Sequence, residues 1–100
     1  MILVSGFFVI DPTKLDRATE LVTALVSTTR EEPGNIDYSF ASVLGDPGRL
    51  VITERWEDQA SLDAHMVAPH FLEFMGATGE LGITQAEVTK FEIASESKLV

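Results

Sequence analysis

Cysteine is absent from the chain. That removes disulfides, thiolate metal sites and any cysteine nucleophile. Positive charge is scarce: seven Lys and Arg stand against 16 Asp and Glu, a net charge of −9. A surface of that sign cannot replace the counterions of a phosphate backbone, so nucleic acid is excluded as a partner. The same sign argues against anionic lipid surfaces. A membrane-length apolar run is also missing. The N-terminal stretch MILVSGFFVI meets Asp11-Pro12 after ten residues, about half of the roughly 20 a spanning helix needs. It has neither a basic n-region nor a small-residue cleavage site. A cytoplasmic location is the expectation.

What is present describes one ordered domain. One hundred residues with 45% hydrophobic content suit a single core and are too apolar for disorder. The domain is expected over residues 1–94, with a polar tail over 95–100. No repeat, low-complexity segment or linker interrupts it.

Residues Ile2 to Ile10 are rich in β-branched and aromatic types and read as a strand. Asp11-Pro12 ends it and opens a helix, because Asp accepts free N–H groups and Pro fits a first turn. Leu15, Ala18, Val22, Leu25, Val26 and Thr29 recur at helical spacing, which carries the helix to about Arg30. Glu32-Pro33-Gly34 closes it. Strands are expected at Asn35 to Val43 and Arg49 to Trp56, joined by the turn Gly45-Asp46-Pro47-Gly48. Asp58 caps a second helix, which Pro69 interrupts and which resumes through Phe71, Phe74 and Met75. Gln85 to Ile93 is the last strand.

The order βαββαβ predicts an α+β, ferredoxin-like fold: a four-stranded antiparallel sheet with both helices on one face. The bare face of such a sheet is normally polar. Here the first strand alternates Leu3, Ser5, Phe7, Val9 against Ile2, Val4, Gly6, Phe8, Ile10, and both sets are largely apolar. Burial of apolar surface is worth roughly 25 cal/mol per Å², and an exposed face of this kind associates. A homodimer follows, two sheets packed face to face around a largely apolar cavity that holds a small aromatic or hydrophobic molecule.

Three segments carry a family resemblance: REEPGNIDYSF, LGDPGRLVITERWED and SLDAHMVAPHFLEF. The first sets a Pro-Gly break before a strand. The second is a turn and a strand ending Glu-x-Trp-Glu. The third matches an Ala-His…Ser-Pro-His-Phe pattern, with Ala68 where serine is usual. Over about residues 2 to 93 the chain resembles the antibiotic biosynthesis monooxygenase family of dimeric α+β barrels. The resemblance implies oxidation of quinols or aromatic phenols by O₂ with no metal, flavin or haem. Other members degrade haem or isomerise small phosphorylated dicarbonyl compounds. The haem-degrading pattern maps near Ser5 or Gly6, His65 and Met75; the ligand position holds no histidine, which disfavours that branch.

Seven side chains are candidates for the site. His65 and Glu54 are the acid–base candidates. An imidazole titrates near neutral pH, and a carboxylate on an apolar sheet face must pair or shift its pKa upward. The competing reading for Glu54 is an ion pair, with Arg55 of a partner chain among the choices; for His65 it is a buried, hydrogen-bonded packing residue. Trp56 is placed to stack on a flat substrate or to fill the core. His70, Ser5, Phe71 and Met75 complete the expected binding set. A metal site is not expected, since Pro69 breaks the i, i+4 geometry between His65 and His70 and no third ligand is evident. Three functions stay open: a cofactor-free monooxygenase, a proton-transfer isomerase of a small carbonyl compound, and a dimer that binds a hydrophobic ligand without turning it over.

Overall fold

A computed structural model describes residues 1–100. Strand β1 (Ile2–Val9) leads through a single 3-10 turn (Pro12–Lys14) into helix α1 (Leu15–Thr29). The hairpin β2 (Asn35–Val43) and β3 (Asp46–Trp56) follows, then α2 (Gln59–Met66), α3 (Pro69–Ala77), a second 3-10 turn (Thr78–Leu81) and β4 (Gln85–Glu92). The sheet is antiparallel in the order β2-β3-β1-β4. This is the α+β, ferredoxin-like fold expected from the sequence.

Local chemistry sets the boundaries. Asp11 Oδ1 accepts from the Thr13 amide at 2.9 Å, and Asp58 Oδ1 accepts from the Ser61 amide at 2.8 Å. Each satisfies an amide that its helical turn leaves unpaired. Pro69 occupies the first turn of α3, where a missing N–H costs nothing. β3 begins three residues earlier than expected, at Asp46. Leu44-Gly45 alone makes the turn, with Gly45 at φ +81°. Pro47 and Gly48 lie in the register shift next to Val43, where the ladder does not need their amides. A second irregularity at Asn35/Asp37 lifts Ile36 out of the pairing, so Ile36 is exposed and does not share the packing of Tyr38 and Phe40.

The helices cover one face of the sheet. Ile2, Val4, Leu25, Tyr38, Ile52, Trp56, Leu62 and Phe74 form the main core; Ile10, Ala18, Leu50 and Leu81 form a smaller one. Paired positions fix which residues share that face. Val4 sits between Glu54 on β3 and Lys90 on β4, and Glu54 pairs with Tyr38 on β2. Gly6 lets β4 approach closely: a Cβ there would come within 2.2 Å of the Glu87 carbonyl. The opposite face carries Leu3, Phe7, Val9, Val51 and Phe91 with Ser5, Thr53 and Thr89 between them. Arg49 lays its guanidinium over the Phe7 ring there, 3.8 Å from the centroid.

Candidate functional site

A pocket of about 410 Å³ opens between the helix-covered face of the sheet and the α2–α3 pair. It lies within one chain. Two short helices, broken at Val67 to Pro69, roof β2, β3 and β1, while every residue of β4 stays exposed. The gap between the helices and β4 is the pocket mouth. Val4, Phe8, Phe40, Ile52, Phe71 and Phe74 make its walls apolar, and Gln59, Asp63 and Lys90 stand among the polar lining residues.

Glu54 is the carboxyl of the sheet wall. It is 6% exposed and takes a 2.9 Å hydrogen bond from Trp56 Nε1 on Oε1. The two side chains meet because i and i+2 share a strand face. Burial raises the Glu54 pKa above the ordinary carboxylate value, the Trp56 hydrogen bond opposes this, and the Glu32 charge adds to it. Arg55 of the same chain does not meet it. That side chain lies on the other face, 4.0 Å from Asp37 and 3.9 Å from Glu96. Tyr38, beside Glu54 in the same row, also lines the pocket. Its hydroxyl finds no hydrogen-bond partner in the protein. Burial first, and then the Glu54 and Glu32 charges, hold it well above the usual phenol range.

Behind this wall lies a second cluster. His65 is fully buried among Tyr38, Trp56 and Phe71, with ring centroids 5.1, 4.9 and 4.8 Å away. Its Nδ1 is 2.6 Å from Glu32 Oε2, and His70 Nε2 is 2.8 Å from the same oxygen. A carboxylate only accepts, so both imidazoles donate. Burial pushes the His65 pKa down despite the Glu32 contact, so the ring is neutral and Nε2 is left as a bare acceptor without a partner. Donor atoms of Glu32, His65 and His70 all fall within 4.8 Å of one another, the one set able to hold a metal ion. A cation there would have to displace both shared protons, since both contacts have hydrogen-bond lengths. The helix break turns His70 back toward His65, where the spacing alone had argued that Pro69 keeps them apart.

The expected site residues therefore divide. Glu54, Phe71 and Met75 line the pocket. Trp56 and His65 stand one layer behind it, and His70 is the outer end of the Glu32 cluster. Ser5 does not line this pocket. It pairs with Thr53 and Thr89 and is exposed on the far face of the sheet. Sequence reasoning missed Glu32, Tyr38 and Lys90 as site residues.

The antibiotic biosynthesis monooxygenase family model matches residues 1–77. The chain belongs to that family. A Bacillus subtilis member, "Putative monooxygenase YcnE", is 27% identical over 94 residues, covering 94% of this chain and 99% of its own. The solved structure of Rv0793 from Mycobacterium tuberculosis is 29% identical with a TM-score of 0.86, covering 97% of this chain and 98% of that one. A family structure from Deinococcus radiodurans superposes with a TM-score of 0.92 at 22% identity, covering 100% and 99%, and bears on the fold alone. In this family member, Glu54 and Tyr38, a buried carboxyl and a buried phenol, are cross-strand neighbours in the pocket wall. That pair can take a proton from, and donate a hydrogen bond to, one oxygen of a bound molecule.

Proposed function

We propose that the protein is a homodimeric monooxygenase that oxidises a planar, electron-rich phenol or quinol-type compound with O₂ and without a cofactor. One observation carries this reading: Glu54, a buried carboxyl held above its ordinary pKa, stands in the wall of a largely apolar pocket as the strand neighbour of Tyr38, whose hydroxyl has no partner in the protein. A base with a raised pKa is better matched to a phenolic proton than an ordinary carboxylate is.

The sequence of events follows from that pair. The Glu54 carboxylate takes the substrate proton, and the Tyr38 hydroxyl donates to the oxygen that becomes anionic. The anion passes one electron to O₂, giving a substrate radical and superoxide. The two combine at a ring carbon to form a C–O bond. The peroxide anion takes the proton back from Glu54, and loss of water from the hydroperoxide turns a CH₂ carbon into C=O, so one oxygen atom enters the product and one leaves as water. All four electrons come from the substrate. The apolar walls confine the radical pair and keep bulk water away. His65, stacked behind Tyr38 and Phe71 and tied to Glu32, positions those walls.

Oxygen uptake with a panel of quinols and anthrones tests the reading. Glu54→Gln is expected to lower kcat by about 10²–10⁴-fold, the usual weight of a positioned base. Uptake that survives in this variant overturns it, and turnover of a carbonyl compound without oxygen uptake would favour isomerisation. The dimer rests on the open sheet face, where Phe91 is 48% exposed beside Leu3. Sedimentation at micromolar concentration should give two chains for the wild type and one for Phe91→Lys; a wild-type monomer ends that part of the proposal.

A further inference from the structure

The pocket has two polar ends. Register places Tyr38, Glu54, Val4 and Lys90 in one row across all four strands, on the helix-covered face. Strands lie about 4.8 Å apart, so Glu54 and Lys90, two strands apart, are separated by about 10 Å at the backbone. Buried Val4 lies between them. The neighbouring row contributes Phe40, Ile52 and Val88 with no side chain at Gly6, and Phe71 and Phe74 close the slot from above. The result is a carboxyl and a phenol at one end, an apolar middle, and an ammonium at the other.

Lys90 supplies the positive charge of this slot. The ammonium's one hydrogen bond is to Gln59 Oε1, at 2.8 Å, and it forms no ion pair. Gln59 in turn donates from Nε2 to Asp63 Oδ1 at 2.8 Å. The amide thus links Lys90 to Asp63, and the ammonium keeps two further donors. It is the only cationic side chain in the pocket lining.

We infer that the pocket selects planar hydroxylated aromatic carboxylates, with the hydroxyl at Glu54 and Tyr38 and the carboxylate at Lys90. This rests on the monooxygenase reading for the role of the Glu54 end, and it names the substrate class of that site. A single ammonium matches a monoanion. A phosphate dianion would meet Asp63 and Glu54 with only one compensating charge. The flat apolar middle suits fused rings better than a flexible chain, which would lose rotamer freedom on binding.

Calorimetric titration of the purified protein with three probes tests this: a hydroxynaphthoate with its two groups at opposite ends, the naphthol that lacks the carboxylate, and the naphthoate that lacks the hydroxyl. The hydroxynaphthoate is expected to bind about tenfold tighter than the naphthol, the scale of one charge-assisted hydrogen bond. Lys90→Gln should erase that difference, Lys90→Arg should keep most of it, and high salt should shrink it. Lys90 is exposed on an edge strand, so circular dichroism should find both variants folded. Equal affinity for hydroxynaphthoate and naphthol, or a preference that survives Lys90→Gln, overturns the inference. Oxygen uptake on the same probes keeps the two readings apart. Glu54-dependent uptake without a carboxylate preference leaves the oxygenase and removes the role of Lys90. A Lys90-dependent preference with no uptake from any phenol does the reverse.

Discussion

Glu32 and Glu54 are both carboxylates withdrawn from water, and they are used in opposite ways. Glu32 sits beyond the end of α1 and receives two imidazole N–H groups on one oxygen, from His65 on α2 and His70 on α3. It ties three segments together. Glu54 receives a single indole N–H and keeps the rest of its capacity beside the pocket. A carboxylate surrounded by donors is structural, because its hydrogen bonds already offset its lost hydration. A carboxylate in an apolar wall with one donor is poised to take a proton. The difference lies in the partners, since the two groups are chemically identical.

Removing Glu32 should have the larger effect on stability. Glu32→Ala leaves His65 Nδ1 buried without an acceptor and unfastens the α2–α3 pair. A cost of about 2–3 kcal/mol is expected, which for a chain of this size lowers Tm by roughly 10–20 °C. Thermal unfolding followed by circular dichroism measures it. Glu32→Gln keeps one acceptor oxygen and should recover part of the loss. If Glu32→Ala melts within a degree or two of the wild type, the cluster does not fasten the helices and the contrast with Glu54 collapses.

Glu54→Gln sharpens the contrast from the other side, because it should stabilise. The Gln oxygen still accepts from Trp56, and a buried charge is gone. A gain of about 1 kcal/mol, or 4–8 °C in Tm, is expected near neutral pH. The pH dependence fixes the sign. The native carboxyl holds its proton above the ordinary value of 4.5, where the unfolded chain releases it. Wild-type stability therefore falls as pH rises from that value through the higher native pKa. The gain of Glu54→Gln should vanish near pH 4 and grow as pH rises to 8. His65 acts in the opposite sense. Its native pKa lies below 6.5, so the unfolded chain takes up a proton first as pH falls below about 6.5, and stability drops on that side. That acid limb should persist unchanged in Glu54→Gln. A variant equally stabilised at pH 4 and pH 8 would show that Glu54 carries no titration penalty.

The fold was legible because its signals are local. Asp58 and Pro69 mark helix starts by their own chemistry, and the alternation in β3 places Glu54 and Trp56 on one face. The site was legible only where it shares such a signal. Ser5 could not be assigned to a face because both faces of β1 are apolar, so parity alone could not say which one meets the helices. Only the pairing of Val4 with Glu54 decides it. Lys90 needed the same register. Glu32 is separated by 33 residues from His65, and no spacing rule links them. One clue was present: Glu31 and Glu32 follow the C-terminal end of α1, where the helix dipole disfavours negative charge. A local preference overridden in this way points to a tertiary partner.

Tyr38 supplies the smallest expected shift and the finest test of the comparison. Its hydroxyl is buried without a protein partner, an arrangement that costs stability unless the group serves a ligand. Tyr38→Phe keeps the ring packed against Phe40, Trp56 and His65 and removes only that oxygen. A small gain in stability, about 0.5–1 kcal/mol, should accompany a loss of turnover of roughly tenfold, seen in kcat more than in KM. The pairing of gain and loss is the informative result. If the hydroxyl were merely a packing element, Tyr38→Phe would leave turnover unchanged, and Glu54 would face the substrate oxygen alone.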